Sequence, residues 1–154
     1  MLPSTTARVP LNTPDQYNKA IRRQMVENVS RYATATPAEI KQRLKDLDRE
    51  WDIERTLEAN AASACLVGLT LGGFVDRRFF VLPALVAGFL LQHAAQGWCP
   101  PVPLLRRLGF RTASEIDEER YALKALRGDF QVTPVVGEGN GHKAAEQALQ
   151  AVRR

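Results

Sequence analysis

The residues whose types suit chemistry are Cys65, His93, Cys99 and the neighbouring pair Arg106 and Arg107, and four of these five stand in "HAAQGWCPPVPLLRRLGF", His93 to Phe110. A cysteine becomes a nucleophile or sulfur carrier when cations or a helix N-terminus stabilise its thiolate. Cys99 instead follows an apolar helical run and precedes prolines 100, 101 and 103. It therefore sits at the negative end of the preceding helix dipole, which raises a thiol's pKa. Arg106 and Arg107 are the cations that offset this. Cys99 is the one candidate thiol; a structural role is favoured, with thiol chemistry and lipidation as the alternatives. His93 has no second histidine nearby and no carboxylate on its own helix, so no metal site is read. No catalytic residue and no cofactor is assigned.

Around these residues the chain is built from two unlike materials. Ala59–Val75 and Phe79–Pro103 contain no charged residue, while the remainder is dense in charge. The negative mean hydropathy averages over both. A net charge of +4, with 21 basic residues against 17 acidic ones, is too balanced for a nucleic-acid footprint. "MLPSTTARVPLNTPD" lacks the charged start and apolar core of a signal peptide. Two cysteines without such a signal do not suggest a disulfide framework.

The elements follow from periodicity and caps. Residues 1–14, with Pro3, Pro10 and Pro14, are expected to be extended and flexible. A helix is predicted from Asp15 to about Thr34, its stripe being Ile21, Met25, Val29 and Tyr32. Thr36, Pro37 and Glu39 make a capping box with proline at the first helical position. From there one unbroken helix is expected over 37–75. "DRR" is then a tight turn, and a second helix runs from about Arg78 to Gln96. Gly97 and the prolines stop it. Ser114 is expected to cap a helix ending near Gly128. Residues 131–154 read as a linker and a weak terminal helix.

A spanning helix needs roughly 20 apolar residues, with a lower limit near 17. Both charge-free runs reach that limit, are apolar on nearly all faces, and are joined by a minimal turn. The expected fold is all-α: a membrane-embedded helical hairpin with flanking cytoplasmic amphipathic helices. A soluble hairpin is the alternative. The division is 1–14 flexible N-terminus, 15–57 cytoplasmic helical region, 58–110 hairpin with its Gly-Trp-Cys-Pro exit, 111–130 cytoplasmic helix, and 131–154. All basic residues except Arg77 and Arg78 flank the hairpin, which puts both termini in the cytoplasm. Trp51, Trp98, Arg77, Arg78, Arg106 and Arg107 are the expected interface anchors. Cys99 lies about ten residues farther from the turn than Cys65, or roughly 15 Å in depth, so the two do not pair.

Ala64, Gly68 and Gly72 recur at every fourth position, as do Ala84 and Gly88. This spacing lets helix backbones approach in lipid, within the hairpin or between copies. Asn60 and Ser63 lie at depths similar to Gln96 and His93, so hydrogen bonds across the hairpin are expected there.

"GWCP" at 97–100 and "LLRRLG" at 104–109, following two small-residue-rich helices, resemble the two-helix inner-membrane domain of the YgaP type. The resemblance covers residues 58–110. It implies a bacterial inner-membrane location, while most of the family stands alone without a known activity. The namesake carries a rhodanese domain; no rhodanese loop is present here, so sulfur transfer does not carry over. The resulting expectation is a non-enzymatic membrane anchor or scaffold. Its partners are the lipid bilayer and either further copies of itself or another membrane protein. A thiol- or persulfide-handling protein using Cys99 and a membrane-bending hairpin are the alternatives.

Overall fold

The computed structural model describes Ser4, residues 6–130, and Ala145, Ala148 and Leu149. Among these residues every regular element is helical: α1 (Arg8–Leu11), α2 (Asp15–Tyr32), α3 (Pro37–Arg49), α4 (Ile53–Phe74), a 3-10 turn (Arg77–Phe80), α5 (Val81–Gln96), α6 (Pro101–Arg107) and α7 (Ala113–Arg127). The linker and terminal helix expected over 131–154 fall almost wholly outside the described residues. The chain forms two compact units. The first comprises the residues up to Met25 with Glu50–Ile116, and the second Val26–Arg49 with the residues from Asp117.

In the second unit the capping box forms as the sequence predicts. The Glu39 carboxylate accepts from the Thr36 amide at 2.7 Å, and the Glu39 amide donates back to Thr36 Oγ1 at 3.4 Å. Ile40, Leu44 and Leu47 form the buried stripe of α3, and Leu123 is buried on α7. Glu119 has no exposed side-chain surface. It accepts two bonds from Arg43, at 2.9 and 2.7 Å, and one from Asn28 at 3.3 Å. Arg120 pairs with Asp48 and Asp117.

The first unit corrects three expectations. The helix expected over 37–75 is broken at residues 50–52. Asp52 is extended (ψ 171°) and its carboxylate accepts from the Arg55 amide at 2.6 Å, capping α4 afresh. Glu50 turns aside to take Arg111 Nε and Nη2 at 2.7 and 2.6 Å, and the Ile53 amide donates to the Arg111 carbonyl. Two acids with partners of their own outweigh unbroken helix propensity. Second, residues 1–14 are not extended throughout. Arg8–Leu11 make a helical turn, and Val9 is 1% exposed in a core with Ile53, Leu57, Cys99, Val102 and Leu105. That core draws on segments assigned to separate regions, so the division at 57/58 falls inside α4. Third, Thr112 rather than Ser114 caps α7, by a second capping box with Glu115.

α4 and α5 are joined by a short turn into a helical hairpin, as the sequence predicts. Asp76 caps the 3-10 turn through the Arg78 amide, and Gly97 ends α5 in the left-handed region (φ 78°). Near the turn the two helices are in tight contact. A β-carbon on Gly68 would lie 2.6 Å from Pro83 Cδ, and one on Gly72 2.7 Å from the Phe80 ring. Gly73 and Gly88 meet nothing within 4 Å. Gly68→Leu therefore overpacks the hairpin by about 1–3 kcal/mol. Gly73→Leu, which has the same helix-propensity gain, is at least neutral. Unfolding in mild detergent followed by circular dichroism separates the two. Equal effects would contradict this packing.

Candidate functional site

The chemistry-bearing residues collect at the polar end of the hairpin, where α5 exits through Gly97-Trp98-Cys99 into α6. Three neighbours position this corner. α1 lies against the end of α5: Arg8 donates to the Ala94 carbonyl at 3.0 Å and Asn12 to the Gln96 carbonyl at 2.8 Å. A β-carbon on Gly97 would come within 2.5 Å of the Arg8 backbone, so Gly97 is required by this approach as well as by its φ. Arg8 also lies 3.8 Å from Glu54 at the start of α4. Behind the corner, α6 turns Val102, Leu105 and Arg106 inward.

Cys99 is 4% exposed beneath Val9, Ile53 and Leu57. Its thiol is covered. Burial pushes its thiol up, against a smaller opposing effect of the Val102 amide. Cys65 is half-buried, and both thiols are free.

Arg106 was expected at a lipid headgroup, yet its side chain is fully enclosed. Its guanidinium binds Glu115 through two bonds, 2.6 and 2.8 Å. It also donates to Asn18 Oδ1 at 2.7 Å and to the Phe110 carbonyl at 3.2 Å. Asn18 in turn donates to the Pro10 and Thr13 carbonyls. α1, α2, α6 and α7 are thereby tied to one buried charge. Burial works against the charged form of Glu115. The Arg106 bonds, the Thr112 amide and the Arg106 charge outweigh it and hold this carboxyl below its usual 4.5. Arg107 is exposed.

The other expected residues divide. Asn60 and Ser63 do not reach across to Gln96 and His93. They donate to the Thr56 and Ala59 carbonyls of their own helix, both at 2.8 Å. A short polar side chain on a helix finds the carbonyl four residues back without any tertiary rearrangement. His93 is 4% exposed, and neither ring nitrogen has a hydrogen-bond partner among the described residues. Gly68 and Gly72 pack inside the hairpin, Ala64 faces a groove between α4 and α5, and Ala84 and Gly88 point outward. Trp51 is half-exposed with the Arg55 guanidinium 4.6 Å above its ring. Trp98 is half-buried, and Arg77 and Arg78 are exposed at the turn. Among the described residues, no three His, Cys, Asp or Glu side chains are placed to share a metal ion.

Sequence reasoning missed Arg8, Asn12, Asn18, Glu50, Arg111 and Glu115. One signal was available: in "PVPLLRR" Arg106 lies four positions after Val102 and next to Leu105, on the apolar face. At the corner the Cys99 thiol is covered and the Arg106 and Glu115 charges are paired.

Glu115→Ala leaves Arg106 buried without its counter-ion and is expected to cost about 3–5 kcal/mol. The stability contributed by ionised Glu115 is complete above 4.5 and is lost as pH falls through its lower folded-state value. Glu115→Gln removes that part of the pH dependence. Denaturation of both proteins between pH 3 and 7 checks this, and parallel pH profiles would refute it. For Cys99, alkylation is expected to run well below the rate of a free peptide cysteine and to rise in Val9→Ala.

Compared with family models, curated proteins and solved structures, the chain matches none.

Proposed function

We propose that the chain is a non-enzymatic anchor of the bacterial inner membrane. The α4–α5 hairpin is held in the bilayer, and the charged helices on either side are displayed in the cytoplasm. The observation that carries this reading is exposure. Two helical stretches are long and apolar enough to cross a membrane, and only 17% and 6% of their apolar windows are buried. Leu66, Leu69, Leu85 and Leu91 are each at least half exposed. Such continuous apolar surface is costly in water and is what lipid covers.

The length of α5 suits a modest span. Its 16 residues with the 3-10 turn make a 20-residue helical stretch, about the number a bilayer requires. Arg77 and Arg78 at the turn are free to extend toward headgroups, and Trp51 stands near the opposite end of α4. At that end the core around Cys99 and the Arg106 cluster join the hairpin to α1, α6, Asn18 of α2 and Glu115 in the first turn of α7. The outward Ala84 and Gly88 suit close approach of a second copy or another membrane helix. The covered thiol of Cys99 favours this reading over persulfide or disulfide carriage.

Alkaline carbonate extraction of cells should leave the chain in the membrane pellet. A Val75→Cys thiol should react with a membrane-impermeant maleimide only from the side opposite the termini. Release by carbonate, or labelling from the same side as the termini, would overturn the anchor. Blue-native electrophoresis in mild detergent should show a species larger than one chain.

A further inference from the structure

The two membrane-suited helices are not in contact along their whole length. Near the turn Gly68 and Gly72 receive Pro83 and Phe80. Toward the polar end α4 presents Ala61 and Ala64 opposite Val86, Phe89 and Leu90, and the helices leave a groove of about 310 Å³. Cys99, Pro100 and Pro101 form its end, and Asn60 is its one polar side chain. The amide of that side chain is already engaged with Thr56. The lining is therefore built for hydrocarbon. Its volume is at the low end of ligand sites, which span roughly 300–1,000 Å³, and a helix about 10 Å across is too wide for it.

The mouth of the groove continues into α6. Pro101, Leu104 and Arg107 are spaced three apart, so each is the helical neighbour of the last. Pro101 lines the groove, Leu104 is 59% exposed, and Arg107 is exposed with no acid paired to it among the described residues. Leu108, at 66%, extends the same apolar stripe. An apolar slot thus leads along an exposed leucine to an exposed cation, the order in which a phospholipid carries its chain and its phosphate.

We propose that this groove holds one acyl chain of a bilayer phospholipid, with the lipid's phosphate at Arg107. The inference rests on the membrane reading above. A bound chain would fill the space the small residues Ala61 and Ala64 leave, and would lie against Cys99.

The test uses the full-length protein in vesicles of phosphatidylcholine carrying a photoactivatable diazirine in one chain. Adducts are mapped by mass spectrometry. The expected result is several-fold more adduct on Ala61, Ala64, Cys99 and Pro101 than on the outward Leu66, Leu69 and Leu91. Ala61→Phe and Ala64→Leu, which fill the groove, should lower the first set and leave the second unchanged. Arg107→Gln should lower it as well. Circular dichroism identifies any variant that does not fold, and the wild-type ratio decides the matter if both do not. Adducts on the outward residues but not in the groove, or groove adducts indifferent to filling, would overturn the lipid site while leaving the anchor intact. Adducts on neither set would remove the membrane reading and this inference together.

Discussion

A buried guanidinium has to be satisfied where it stands, because arginine does not shed its proton. Arg106 is such a group, and the arrangement around it follows from its needs. Glu115 supplies the counter-charge, Asn18 and the Phe110 carbonyl take further donors, and Thr112 and Glu115 share a capping box. Asn18 comes from α2, while Phe110, Thr112 and Glu115 come from the stretch 110–115 that leads into α7. The cost of leaving one of them out is that of an uncompensated charge in an apolar interior. The pair thus adds definition more than net stability: it fixes which residues of α2 and α7 stand beside α6.

Beside this cluster, the apolar core of Val9, Ile53, Leu57, Cys99, Val102 and Leu105 closes the polar end of the hairpin. α1 is the lid of that core, hydrogen-bonded to the last carbonyls of α5. Those carbonyls have no partner within their own helix. The N-terminal segment therefore does for α5 what a capping side chain does elsewhere. Tight contact near the turn and separation at the far end leave the groove between the two long helices. In the proposed setting, lipid completes what the side chains do not fill.

Much of the local structure was legible. The boxes at Thr36–Glu39 and Gly97's stop depend on neighbours three or four residues apart, and such signals act within one turn of helix. The charge-free runs announced the two long apolar helices for the same reason. The break at residues 50–52 was not legible, since "LDREWDIERT" has ordinary helix formers. It appears because Glu50 and the Ile53 amide have a partner in Arg111, about sixty positions away. Asn60 and Ser63 were expected to bond across the hairpin, but local carbonyls satisfied them first.

The sequence by itself determined the helix start at Thr36–Glu39, the stop at Gly97, and which two helical stretches are long and apolar enough to cross a membrane. Those properties are set by side-chain type, helical period and caps, all short-range. Only the tertiary structure decided that Arg106 lies inside while Arg107 lies outside, that Cys99 is covered, and that Arg8–Asn12 close a core. Adjacent arginines are alike in sequence; their environments differ by about 100° of helix rotation, and only the packed neighbours say which side is which.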